Sequence, residues 1–352
     1  MEIAGFNIAG RRVGDGAPCY VIAEAGSNHN GALDQARRLI DVAVRAGADA
    51  VKFQVFRAGK LYPANAGVSG YLNDPTPIFD IIAKMEMPYA WLPTLADHCA
   101  QGGVHFLASA FDEESTDRIA PFVPAFKIAS YEMTHLPLVR HTVGYGKPVI
   151  LSTGTANLAE VGETVGACRE AGGRELALLQ CTAAYPAPLD AMHVSVLRTL
   201  RQEFGVPVGL SDHSQDPVVA PVVAVACGAA VIEKHFTLSH DLQGPDHKFA
   251  LEPDALAVMV QRIREAEQVM GRSEKMVAPV EEELRAFARR SVFAMRDIPA
   301  GAVLAAADLA VLRNGAHTPG VSPDAMAGLV GRRVRIGLAA NRPIQWRDLE
   351  DA

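Results

Sequence analysis

The chain has little cysteine. Five occur in 352 residues, at Cys19, Cys99, Cys168, Cys181 and Cys227. Their number is odd, their spacings are wide, and no C-x-x-C pair is present, so neither a disulfide framework nor a structural zinc knuckle is expected. Basic charge is also in short supply. A formal net charge of −7 and an isoelectric point near 5.9 argue against a general nucleic-acid binder, although they leave room for a local basic pocket. The most apolar stretch, Pro217 to Ile232, is interrupted by Pro221, Cys227 and Gly228. It falls short of the roughly 20 residues that cross a bilayer. The start, "MEIAGFNIAGRRVGDG", lacks the basic, apolar and small-residue regions of a signal peptide. The expected setting is the cytoplasm, with no membrane and no nucleic-acid partner.

What is present is a rhythm. At 49% hydrophobic and 21% charged residues, the chain can bury a sizeable core. Eight short apolar or β-branched runs alternate with helix-periodic segments. The runs cover residues 19–26, 50–56, 105–111, 125–130, 148–154, 176–183, 207–213 and 230–236. Several intervening segments end in Gly, the usual residue just past a helix C-terminus. Eight strands and eight helices in alternation predict an α/β fold, a (β/α)8 barrel over residues 1–270. A doubly wound open sheet is the alternative. It usually has fewer strands, and no G-x-G-x-x-G follows the first strand. Residues 271–288 change character and read as a linker with a short charged helix. Residues 289–352 are rich in Gly and Pro with short strand-like pieces. They predict a small β-rich domain, of a size that folds alone only marginally.

In such barrels the chemistry gathers at the C-terminal ends of the strands. All eight ends are polar here. They carry Glu24; Lys52 and Gln54, two apart and so on one face; Ser109; Lys127, Ser130 and Glu132; Ser152; Tyr185; Ser211 and His213; and Glu233 with His235. A lone histidine at a strand end is more often hydrogen-bonded scaffold than ligand. His213 and His235 stand on adjacent strands, so their side chains can converge on one ion. Neutral imidazole suits Zn, Mn, Fe or Co, with a carboxylate, water or substrate completing the set. His29, His240 and His247 fall in loops, where hydrogen bonding or solvation is the expectation. Lys52 and Lys127 either form structural ion pairs with Glu24 or Glu132, or join Ser109, Ser130, Ser152 and Ser211 in a cradle for a phosphate and a carboxylate. Glu132 and Asp246 are candidate acids or bases, the latter competing with an ordinary role as a turn aspartate.

Taken together, "AEAGSNHNG", "AVKFQ", "FKIAS" with Glu132, "LSTG", "CTAAYP", "GLSDH" and "EKHFTL…GPDHKFALEP" resemble the sialic acid synthase family in order and spacing. The tail from Arg289 resembles the antifreeze-like (SAF) domain that ends those enzymes. The resemblance spans nearly the whole chain. It implies condensation of phosphoenolpyruvate with an N-acylated hexosamine, such as N-acetylmannosamine, giving a nine-carbon 3-deoxy-2-keto sugar acid and phosphate. It implies a divalent metal on His213 and His235, manganese first, with magnesium or cobalt as alternatives. Lys52, Lys127, Ser109, Ser130, Ser152 and Ser211 match positions that hold phosphoenolpyruvate. Gln54, Glu132, Tyr185 and Asp246 match positions around the sugar, and Glu24 an acidic residue at the reacting centre. The family's domain-swapped homodimer would bring Arg313 of one tail to the sugar's acyl group in the other barrel. Two positions depart from the family pattern: Ala183 after "CT", and "RNGAHTPGVSP", which is longer than the usual arginine stretch.

Three other readings compete. A synthase using another aldose shares the chemistry but lacks such a tail. A metal-dependent hydrolase on a barrel would want H-x-H at the first strand, where "GSNHNG" has one histidine. An ice- or protein-binding role for the tail leaves the polar barrel rim unexplained.

Overall fold

The computed structural model describes residues 3–70 and 74–351. The chain divides into two compact units, Met1–Gly271 and Arg272–Ala352. The first unit opens with a hairpin of β1 (Phe6–Ile8) and β2 (Arg11–Val13). Eight parallel strands follow: β3 (Tyr20–Gly26), β4 (Ala50–Val55), β5 (His105–Ala110), β6 (Phe126–Ile128), β7 (Val149–Ser152), β8 (Leu176–Cys181), β9 (Val208–Asp212) and β10 (Val231–His235). Strand β10 pairs with both β9 and β3, which closes the barrel. The expected α/β barrel is therefore the observed fold. Helices lie between successive strands, and those ending at Ala46, Gly102 and Phe204 stop at a left-handed glycine, the conformation that needs no Cβ.

The period of two along each strand explains how one barrel holds both a core and a site. Outward positions pack against the helices: Val21, Val51, Phe53, Phe106, Leu151, Leu178, Leu210 and Ile232 belong to one apolar cluster. Inward positions near the strand starts form a second cluster, with Tyr20, Ile22, Ala50, Leu107, Ala125, Ile150, Ala177, Leu179 and Val231. Phe6, Ile8 and Val13 of the hairpin join that cluster and plug the N-terminal end. Two residues further along the same inward faces stand Glu24, Lys52, Ser109, Lys127, Ser152, Ser211 and Glu233, all buried. The interior thus changes from apolar to charged within one side-chain layer.

The hairpin and the two short helices after β4 (Ala58–Leu61 and Ile78–Lys84) have no counterpart in the periodicity. Segments of three to seven residues carry too few repeats to register. In the second unit, a helix Glu282–Ala288 precedes β11 (Arg290–Ala294), β12 (Leu309–Arg313) and β13 (Arg342–Pro343), an antiparallel sheet ordered β12-β11-β13. Its core is small, built on Val292, Ile298, Leu304, Leu329, Val334 and Ile344 among others. Among the described residues, no helix is long and apolar enough to cross a membrane.

Candidate active site

Two lysines and two glutamates occupy the centre of the barrel mouth. Lys52 Nζ lies 2.7 Å from Glu24 Oε2 and 3.7 Å from Glu233 Oε2, and donates to Ser109 Oγ at 3.0 Å. Lys127 Nζ donates to Ser152 Oγ at 2.7 Å and to the Ile128 carbonyl at 2.9 Å, with Glu233 Oε1 at 3.7 Å. Ser211 Oγ donates to Glu233 Oε1 at 3.0 Å, and Gln54 Nε2 to Glu24 Oε1 at 2.9 Å. Lys52 is thus in the expected ion pair with Glu24. Lys127 is paired with Glu233 rather than Glu132, because Glu233 shares the inward face of β10 with His235. Glu233 stands among the polar strand ends read from the sequence, but strand-end position alone gives it no role. Alternation puts it on the inward face, since it stands two residues before His235, while Lys234 between them points outward to Asp212 at 2.6 Å.

Burial alone would drive these charges out, so their balance is informative. Burial works against ionised Glu233, yet Lys127 and Lys52 outweigh it and hold the carboxyl below its ordinary range. Burial also opposes charge on Lys52, but Glu233 and Glu24 keep its affinity for a proton above the ordinary value. Glu24 is pushed up by burial, which Lys52 offsets only in part. Lys127 is lowered by burial despite Glu233. The cradle holds two cations whose counter-charges are carboxylates, one of them already inclined to take a proton.

Beside it lie the two histidines. Their ring centroids are 5.4 Å apart, and Tyr185 stacks on His213 at 4.1 Å. His213 Nδ1 is 3.0 Å from the Thr182 carbonyl, so Nδ1 donates and Nε2 keeps its lone pair. His235 Nδ1 is buried without a hydrogen bond, and Asp246 Oδ2 is 3.9 Å away. Burial lowers the proton affinity of His213 to a pKa of about 4, and burial plus His213 lowers that of His235 well below its ordinary value. Both rings are neutral near pH 7, the form that ligates metal. No group of three or more His, Cys, Asp or Glu suited to one ion occurs among the described residues. The two neutral imidazoles on adjacent strands are the side chains that could hold a divalent metal here, with further positions left to water or substrate.

Asp246 and Glu132 flank this arrangement from opposite sides. A Cβ placed on Gly26 would lie 3.2 Å from Asp246 Oδ2 and 3.5 Å from both Gln54 Nε2 and Glu24 Oε1, so these side chains converge. Burial, with Glu24 nearby, raises Asp246 to a pKa of about 7. Glu132 follows β6 on a short helical turn, is 8% exposed, and has Oε2 buried without a partner. It borders a cavity of about 330 Å³ also lined by Lys60, Phe111, Glu113 and Tyr131. Ser130 Oγ accepts from the Gly154 N–H at 3.1 Å, on the Lys127 side. Arg313 ends β12 in the second unit and is exposed. Of the three loop histidines, His29 and His247 are fully buried, whereas His240 is half-exposed.

Burial raises Glu132 to a pKa of about 7. A carboxyl raised in the folded state binds its proton more tightly there than when unfolded, so stability falls as pH rises from about 4.5 toward 7. Glu132→Gln should leave the melting temperature unchanged at pH 4 and raise it at pH 8, by up to about 3 kcal/mol in stability. Thermal melts at the two pH values check this; a destabilised variant at pH 8 would contradict the assignment.

A family model named the NeuB family matches residues 39–275. The chain belongs to the NeuB family. A SAF-domain model matches residues 289–350. The spore coat polysaccharide biosynthesis protein SpsE of Bacillus subtilis is 40% identical over 99% of this chain and 98% of its own. The N,N'-diacetyllegionaminic acid synthase of Legionella pneumophila is 36% identical over 96% of each chain. The crystal structure of an N-acetylneuraminic acid synthetase from Leptospira borgpetersenii, in complex with citrate, superposes with a TM-score of 0.74 at 29% identity, over 81% of this chain and 96% of that one. The resemblance to sialic acid synthases is thereby established at the level of the family, and with it a condensing enzyme of that class carrying a C-terminal SAF domain.

Proposed function

We propose that this NeuB-family enzyme condenses phosphoenolpyruvate with the open-chain aldehyde of an N-acylated hexosamine, giving a nine-carbon 3-deoxy-2-keto sugar acid and phosphate. The observation that carries the reading is the inward ring of two lysines and their serines next to two neutral histidines. Phosphoenolpyruvate has a phosphate and a carboxylate, and Lys52 with Ser109 and Lys127 with Ser130, Ser152 and Ser211 offer two cationic, hydroxyl-rich ends for them. The Legionella relative's name supports a sugar with two acylamino groups as one acceptor, and N-acetylmannosamine is another.

The chemistry balances without an external reagent. Carbon 3 of phosphoenolpyruvate forms a C–C bond to the aldehyde carbon, whose oxygen takes up a proton. Positive charge appears at carbon 2, where water adds and gives up a proton. The tetrahedral intermediate expels phosphate by C–O cleavage, leaving the 2-keto acid. His213 and His235 would hold a divalent metal, manganese first, which supplies a Lewis acid for the aldehyde oxygen. Lys52 and Lys127 neutralise the anion throughout and stabilise charge that builds on the departing phosphate. Glu24, Glu132 and Asp246 move the protons, since each is raised toward the operating pH. Gln54 and Tyr185 orient the sugar.

Phosphate release from phosphoenolpyruvate, measured with a panel of hexosamines and simple aldoses, tests the reaction class. Release should require an N-acylated hexosamine. Release with heptulosonate- or octulosonate-forming aldoses alone would replace the acceptor, and none with any aldehyde would overturn the proposal.

The same reading includes a homodimer in which the SAF domain of one chain brings Arg313 to its partner's barrel. Co-expressed His213→Ala and Arg313→Ala chains should then recover roughly a quarter of wild-type activity, because half the dimers are mixed and each has one intact composite site. No recovery, with each single variant strongly impaired, would assign Arg313 to its own barrel.

A further inference from the structure

We infer that His247 is a positioning residue that holds Asp246 over the reacting centre, by pinning the loop after β10 to the loop after β3. Asp246 sits in a long loop between β10 and the next helix, which starts at Pro253. Among the described residues its carboxylate makes no hydrogen bond that would fix it from its own side. It also stands beside Glu24, a group of like charge when both are ionised. Its place must therefore come from the backbone.

His247, the next residue, is fully buried and uses both ring nitrogens. Nε2 lies 3.0 Å from Asn30 Oδ1 and Nδ1 2.6 Å from Thr237 Oγ1, a hydroxyl that also reaches the Ser239 carbonyl at 3.2 Å. Thr237 begins the same loop, and Asn30 belongs to the loop that follows Glu24. A second tie runs in parallel, from Asn28 Nδ2 to the Phe236 carbonyl at 2.8 Å. Gly244 makes the approach possible: a Cβ there would come within 2.8 Å of the His247 ring and 3.4 Å of Asn30 Oδ1. Two loops from neighbouring strands are thus buttoned together through one imidazole, with Asp246 on one side of the button and Glu24 at the base of the other. This geometry pre-sets the carboxylate before substrate arrives.

The inference rests on the proposed condensation, and the test separates the two. Steady-state kinetics of the full-length chain are compared for wild type, His247→Met, His247→Gln and Asn30→Gly. Glycine suits the positive φ of 49° at residue 30, so that variant removes the carboxamide without backbone strain. Its exposed position also makes it a safe substitute should the His247 variants fold poorly. His247→Met should lower kcat roughly 100-fold, the scale of an ångström's misplacement, while the KM for phosphoenolpyruvate is unchanged. His247→Gln should recover part of that loss, since its amide can still donate to Asn30. Asn30→Gly should give the same split, and the double variant should be no worse than His247→Met alone. Wild-type kcat in His247→Met, equal rates for Met and Gln, or full additivity would overturn the inference. An inactive wild type would instead overturn the proposed reaction.

Discussion

Replacing either His213 or His235 with alanine should abolish phosphate release and leave the barrel folded. Both imidazoles are neutral and buried, and one is oriented by the Thr182 carbonyl so that its other nitrogen is available. Two ligands from adjacent strands are the minimum that can fix an ion against the substrate, so losing one leaves no chelate. Neither ring has a role in the apolar core, which lies a layer below. A chelator should likewise stop the reaction, and Mn²⁺ should restore it. Titration calorimetry with Mn²⁺ supplies a readout apart from activity: wild type should bind one ion per chain, and His213→Ala none. Full activity in a verified metal-free preparation would contradict this assignment.

Lys52→Ala and Lys127→Ala should each weaken use of phosphoenolpyruvate by a few kcal/mol, about the cost of one lost charge-assisted donor in a dry site. The magnitude matters because a competing effect exists. Removing one partner of a buried ion pair costs about 3–5 kcal/mol when the other stays charged. Glu24 is already raised by burial, so it can take up a proton once Lys52 is gone. The larger change is therefore expected in kinetics, through the KM for phosphoenolpyruvate, with the KM for the sugar unaltered. For Lys127 the stability effect should be smaller still, since its nearest carboxylate contact is 3.7 Å and its firm bonds go to Ser152 and a carbonyl. A change confined to the sugar's KM would mean that the two lysines do not form the anion cradle.

Much of this arrangement is legible in the sequence because strands obey a period of two and barrels put chemistry at one end. Lys52 and Gln54, or Ser211 and His213, can be paired from spacing alone. Reading strand ends without tracking that parity finds Glu233 but not its role, which comes from its place between the two lysines. The pairing of Lys127 with Glu233 instead of Glu132 has the same origin: Glu132 lies past the strand, on a turn that carries it toward the outer cavity. Nothing in the local sequence predicts that His247 and Asn30 meet, because they are 217 residues apart and joined only when the barrel closes. The N-terminal hairpin escapes for a different reason: its three-residue strands show no periodicity, and its job is defined by the barrel end it covers.

In the proposed reaction this barrel joins phosphoenolpyruvate to a hexosamine aldehyde and breaks the C–O bond to phosphate. Phosphoenolpyruvate labelled by ¹⁸O in the bridging position, incubated with the full-length chain, Mn²⁺ and an N-acylated hexosamine, reports which bond breaks. Mass spectrometry should find a nine-carbon keto acid free of the label and all of the ¹⁸O in the released phosphate. Label retained in the keto acid, or no nine-carbon product with any hexosamine offered, would contradict it.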